Sequence, residues 1–171
     1  MHIDIVSDTI CPWCYIGKRR FERALDLITP ERRPQIRWRA FMLNPDMPSD
    51  GMERNAYLAL KFGSSQRAME LYSMISKAGF EEDILFAFGD IYRTPSTVDP
   101  HRLIGWAGER GHQGEVVDAM FQAYFLKGVD IGDRANLVTI ASTAGLDGDE
   151  VEAFLASDEG VDTVLAEHNL A

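Results

Sequence analysis

Val6-Ser7-Asp8-Thr9-Ile10-Cys11-Pro12-Trp13-Cys14-Tyr15-Ile16 is the stretch on which the fold turns. His2 to Ser7 starts as apolar/polar alternation and becomes apolar at Ile5-Val6, which predicts a short buried strand of the parallel-sheet kind. Asp8-Thr9-Ile10 forms a loop, and from Tyr15 the period changes: Ile16, Phe21, Ala24, Leu25 and Ile28 fall on one side of a helix. Pro12 stands where a first-turn proline is tolerated. Thr29-Pro30 and Pro34 end that helix, and Gln35 to Met42 alternates again, with Ile36, Trp38 and Ala40 against Arg37, Arg39 and Phe41. Strand, helix, strand is a βαβ unit with a right-handed crossover.

Beyond Asn44-Pro45-Asp46-Met47-Pro48 the pattern turns helical with almost no strand signal. Helices are predicted over Glu53 to Phe62, Ser65 to Lys77, Pro100 to Arg110, Glu115 to Leu126 and Arg134 to Ala144, then Asp149 to Ala156 and Val161 to Asn169. Asp99 is the expected cap of the third of these, with Pro100 at its first position. Gly111, Gly128 and Gly145 mark helix exits. Phe121, Tyr124 and Phe125 have helical spacing and read as core, and Asp147, Asp149, Glu150 and Glu152 as a helix start that complements the dipole. The expected organisation is a βαβ portion over 1–48, a helical insertion over 49–147 and a terminal helix over 148–171.

At 171 residues the chain has the length of one domain, and 46% hydrophobic with 26% charged residues is an ordinary globular composition. Its net charge of −10 repels nucleic acid and anionic membranes, so neither is an expected partner. No apolar run approaches the ~20 residues of a membrane span, because Asp4, Lys18, Asp90 and Glu109 interrupt the candidates. Met1-His2-Ile3-Asp4 has none of the features of a secretory signal, which places the protein in the cytoplasm.

The chemistry concentrates at Cys11 and Cys14. Cys11 opens a helix, where free N–H groups and the macrodipole favour an anion, so a lowered thiol pKa is expected there. Cys14, one turn on, is placed to attack a mixed disulfide formed by Cys11 and release the product. Half of a metal site and two inert core thiols are the alternatives. A closed zinc site needs four ligands, yet there is no third cysteine, and His2, His101, His112 and His168 are scattered. A CxxC between a strand and a helix is the redox context, and no metal or bound cofactor is expected. Pro12 and Trp13 between the thiols, with His101 and Arg102, are the candidate substrate-binding residues. Trp13 either docks substrate or covers the helix start, and its neutral indole predicts a milder oxidant than a histidine in that slot. Asp8 reads as a proton relay for Cys14 or a loop acceptor. Thr97, His101 and Arg102 read as a polar helix start or as a holder for the carboxylate of a thiol cosubstrate. His2, His112 and His168 read as surface or filler residues.

Val6 to Lys18, Phe41-Met42-Leu43-Asn44-Pro45, the Thr97-to-Arg102 segment and Phe121-Gln122-Ala123-Tyr124-Phe125 together resemble the FrnE-like branch of the DsbA family, across essentially the whole chain. The resemblance implies a thioredoxin-like α/β fold with a large helical insertion, and thiol–disulfide oxidoreductase activity with Cys11 as nucleophile and Cys14 as resolving thiol. The related 2-hydroxychromene-2-carboxylate isomerases use glutathione and typically carry serine at the first cysteine position. Glutathione-dependent isomerase or transferase chemistry is therefore the alternative function, with glutathione as cosubstrate, and a non-catalytic adaptor is the second. The family's sheet ends in two strands introduced by a cis-proline loop. This sequence has no proline after Pro100, so the C-terminal half of that sheet is expected to be missing here, with dimerisation as one physical remedy.

Overall fold

The computed structural model describes the backbone of residues 1–171 and every side chain except that of Ser65. Strand β1 (His2–Ser7) pairs in parallel with β2 (Gln35–Ala40), from His2 opposite Gln35 to Ser7 opposite Ala40. Because side chains alternate along a strand, Ile3, Ile5, Ile36 and Trp38 share one face. His2, Asp4, Val6, Gln35, Arg37 and Arg39 share the other. Asp4 accepts two hydrogen bonds from Arg37, at 3.0 and 3.1 Å. The expectation of a buried β1 is corrected here: His2 and Asp4 are exposed and Val6 keeps 50% of its surface, so only one face of the strand is apolar-packed. This sheet has two strands.

The outer edge of β2 is closed by side chains rather than by a third strand. Gln113 accepts from the Trp38 N–H at 2.9 Å and donates to the Trp38 carbonyl at 3.2 Å. Glu167 accepts the Ala40 N–H at 2.7 Å. These groups satisfy backbone that would otherwise invite pairing with another chain.

Helix α1 (Pro12–Leu25) joins the strands, with Cys11 as its N-cap and Pro12 in the first turn. A two-residue antiparallel ladder follows, β3 (Met52–Glu53) on β4 (Arg93–Thr94), too short to leave an alternating pattern in a stretch expected to be helical. Between them lie α2 (Arg54–Phe62), capped by Glu53, and α3 (Ser65–Phe80), capped by Ser64. The next helix, α4 (Val98–Glu109), starts two residues before the expected Pro100, with Thr97 as N-cap. Asp99 does not cap it; its carboxylate binds Arg102 and Arg134 instead. Then come α5 (Gln113–Lys127), α6 (Arg134–Thr143) capped by Asp133, α7 (Gly148–Ala156) capped by Asp147, and α8 (Val161–Leu170). Among the described residues no helix is long and apolar enough to cross a membrane.

Helix α5 is the centre of the core. Val116, Met120, Phe121, Tyr124 and Phe125 are each essentially inaccessible and pack with Ile16 of α1, Leu103 of α4, Leu137 of α6 and Val151 of α7. The Tyr15 ring stacks on Phe121 at 5.1 Å. The helix that carries the cysteines thereby rests on the helical lobe. Helix α5 ends at Gly128, whose φ of +62° lies in the left-handed region and whose missing side chain admits the Asp90 carbonyl. Gly128→Ala is expected to lose at least about 2 kcal/mol in urea denaturation, from backbone strain plus collision. Gly63→Ala shares the positive φ but has open space, and is expected to lose about 1 kcal/mol from strain alone.

Candidate active site

The site is built where β1 runs out. Ser7, Asp8 and Thr9 are all buried, and the Cys11 N–H donates to the Asp8 carbonyl at 3.1 Å, turning the chain into α1. Cys11 and Cys14 are both free and half-buried, with the Cys14 N–H on the Cys11 carbonyl at 3.0 Å. The two thiols titrate as a pair: their interaction holds Cys14 down at about 6 and pushes Cys11 well above the ordinary thiol range. The Asp8 N–H and the Ser7 side chain also lower Cys14, while burial and the Asp8 charge oppose them. The backbone N–H groups of Trp13 and Cys14 act on Cys11 in the lowering sense. The expected low titration therefore belongs to the pair of thiols rather than to Cys11 alone.

Around the thiols, Pro12 is half-buried and Trp13 is 49% exposed. Asp8 is only 1% exposed. Its Oδ2 accepts the Leu43 N–H at 2.7 Å, and its Oδ1 lies 3.4 Å from His101 Nε2 without a hydrogen bond. A carbonyl can only accept, so His101 Nε2 carries the proton that it shares with Phe41 O at 3.0 Å. His101 therefore belongs to the wall of the site through Asp8 and Phe41. Arg102, one residue on, points into the fold. Its guanidinium donates to the Asp99 carboxylate within α4 and to the carbonyls of Phe154, Ser157 and Glu159, so three of its bonds tie α4 to the end of α7 and the chain that follows it. On the other side of Cys14 is an apolar hollow of about 320 Å³, walled by Ile3, Ile5, Phe21 and Trp38.

Several groups of the site are not singled out by the sequence. Arg54 is buried and donates to Thr94 Oγ1 at 2.9 Å and Tyr72 Oη at 2.7 Å, with the Tyr57 and Tyr72 rings about it. No carboxylate pairs with it among the described residues. Burial raises both tyrosines, Arg54 opposes that, and the Cys11 charge adds to it, which places the phenols within electrostatic reach of Cys11. Tyr57 bonds Asn44 at 3.2 Å, and Lys61 reaches Asn44 at 3.0 Å. Lys18 is buried one turn beyond Cys14, paired with Asp118 at 2.7 Å. His168 is half-buried, and its Nδ1 accepts the Met42 N–H at 3.2 Å, which corrects its expected surface or filler role. Only the Tyr57-to-Lys61 spacing, one helical turn, carries a sequence signal for any of these. No cluster of three or more His, Cys, Asp and Glu side chains suited to a metal occurs among the described residues.

Residues 2–171 match the family model of the DSBA-like thioredoxin domain. The uncharacterized protein YwbO of Bacillus subtilis (strain 168) is 28% identical over 157 residues, which are 91% of this chain and 72% of that protein. The crystal structure of the probable DsbA oxidoreductase SCO1869 from Streptomyces coelicolor is similar over the whole chain and 74% of its own, at 34% identity and a TM-score of 0.89. A 2-hydroxychromene-2-carboxylate isomerase shares the fold over the whole chain and 79% of its own, at 14% identity and a TM-score of 0.72.

Ultraviolet thiolate absorbance of the reduced protein should rise in a first step at about pH 6, well below the ~8.5 of a free thiol. Because the interaction with the Cys11 side chain is the largest cause of that depression, Cys11→Ser is expected to move the Cys14 step upward. A first step at the ordinary thiol value in the unaltered protein contradicts that interaction between the two thiols.

Proposed function

Because the chain belongs to the DsbA-like thioredoxin domain family, we propose that it is a thiol–disulfide oxidoreductase with Cys11 as nucleophile and Cys14 as resolving thiol. The observation that carries this reading is the position of Cys11 as N-cap of α1 with Cys14 one turn on, the two thiols titrating together with a first step at about 6. In the reductive direction, Cys11 attacks one sulfur of a substrate disulfide as its proton passes to Cys14. The other substrate sulfur leaves as a thiolate. Cys14 then loses that proton and attacks Cys11, closing the Cys11–Cys14 disulfide and releasing the second substrate sulfur. The substrate gains two electrons and the enzyme gives up two. Asp8, buried beside Cys14, is the proton acceptor in this scheme.

Trp13, exposed between the sulfurs, and Pro12 meet the substrate in this reading. His101 serves the site through Asp8, and Arg102 through the fold. The substrate class is a protein or small molecule bearing a disulfide or thiol. The reading includes the FrnE-like branch and a reducing, cytoplasmic setting.

Insulin reduction with dithiothreitol as the electron source tests it. Cys11→Ser is expected to lose at least about a hundredfold in turnover, as a removed covalent nucleophile does. Cys14→Ser should accumulate mixed disulfides, visible as substrate-sized mass adducts that a reductant removes. Unchanged insulin reduction by the Cys11 variant would sink the assignment.

A further inference from the structure

Residues Ala40 to Leu43 continue β2 past the end of β1, with the Phe41 N–H on the Ser7 carbonyl at 3.1 Å, as a strap held otherwise by ionisable side chains from separate parts of the fold. Glu167 takes the Ala40 N–H at 2.7 Å while its other oxygen meets Arg39 at 2.8 Å. His101 donates to the Phe41 carbonyl, His168 Nδ1 accepts the Met42 N–H, and Asp8 takes the Leu43 N–H. Lys61 reaches the Leu43 carbonyl at 3.4 Å. The strap thus connects α8 to Asp8, whose carbonyl takes the Cys11 N–H at 3.1 Å and whose N–H acts to lower Cys14.

We propose that His168 is a positioning residue for the thiol pair, holding the strap through Met42 only while its imidazole is neutral. The proposal rests on the thiol–disulfide reading of the site. Met42 is 3% exposed, so water does not replace a lost acceptor for its N–H. His168 is half-buried, with its ring 5.1 Å from that of Phe41, and can exchange protons with solvent. Protonation at Nδ1 sets one N–H against another, and the strap must move. Leu43 moves with it, Asp8 loses the partner of its Oδ2, and the turn that Asp8 makes with the Cys11 N–H, beside the Cys14 thiolate, is displaced. The charged neighbours of this latch are Glu167 with Arg39 on the α8 side and the Asp8–His101 pair with Lys61 beyond the strap. The direction is fixed: acid opens the latch and removes thiolate.

The test is the pH profile of the first alkylation of the reduced protein, followed by intact mass, in the unaltered chain and in His168→Asn and His168→Phe. An asparagine Oδ1 occupies the place of Nδ1 and accepts without titrating. Phenylalanine keeps a ring and accepts nothing. The unaltered protein should lose reactivity on acidification more steeply than one ionisation allows. His168→Asn should follow a single ionisation and exceed it by at least about threefold near about pH 5.5, the worth of one hydrogen bond to a thiolate. His168→Phe should be slow at every pH while still unfolding cooperatively in urea. Profiles of His168→Asn and the unaltered protein that superimpose overturn the proposal. Loss of insulin reduction and of mixed disulfides in the unaltered protein overturns the thiol–disulfide reading instead, so the two failures are distinct.

Discussion

A carboxylate sealed at residue 8 is the constraint from which the site follows. Taking an ionised carboxylate out of water is costly unless its oxygens are paired, and Asp8 is 1% exposed. The Leu43 N–H answers one oxygen at 2.7 Å, and His101 faces the other at 3.4 Å. Meeting that need draws the end of β2 and the start of α4 to the point where β1 gives way to α1. The same residue uses its carbonyl to turn the chain into the helix and its N–H to hold the Cys14 sulfur. One buried residue, through its carboxylate and its own backbone, thereby fixes where the helix N-terminus sits relative to its two thiols.

Packing supplies the rigidity that this arrangement requires. Tyr15 and Ile16, directly after the CxxC, are buried against α5, and Lys18 reaches Asp118 of the same helix. The βαβ portion and the helical lobe therefore share one core, and the thiols lie on the seam. The β2 edge is closed by Gln113 and Glu167, from α5 and α8. Helices distant in sequence finish the sheet's hydrogen bonding and wall the site together.

Much of this was legible in the residues because it depends on local chemistry. Pro12 after Cys11 announces a helix start, Asp147 announces α7, and the apolar spacing of Phe121, Tyr124 and Phe125 announces the core helix. What escaped depends on contacts across the chain. Asp99 has the residue type and place of a cap, but Arg102 and Arg134 compete for its carboxylate. Two-residue strands have no period to detect. Arg54 and Arg102 look alike in the sequence, yet Arg102 is spent on carbonyls of the fold while Arg54 sits among phenols near the thiols. His168 meets its partner 126 residues away.

The most direct test of the central claim is to equilibrate the protein against graded ratios of reduced and oxidised dithiothreitol, quench in acid, alkylate, and weigh the intact chain. One reversible transition is expected between a species carrying two alkyl groups and a species carrying none, as Cys11 and Cys14 close one internal disulfide. A chain that keeps two alkyl groups at every ratio, or passes only to disulfide-linked dimers, would contradict it.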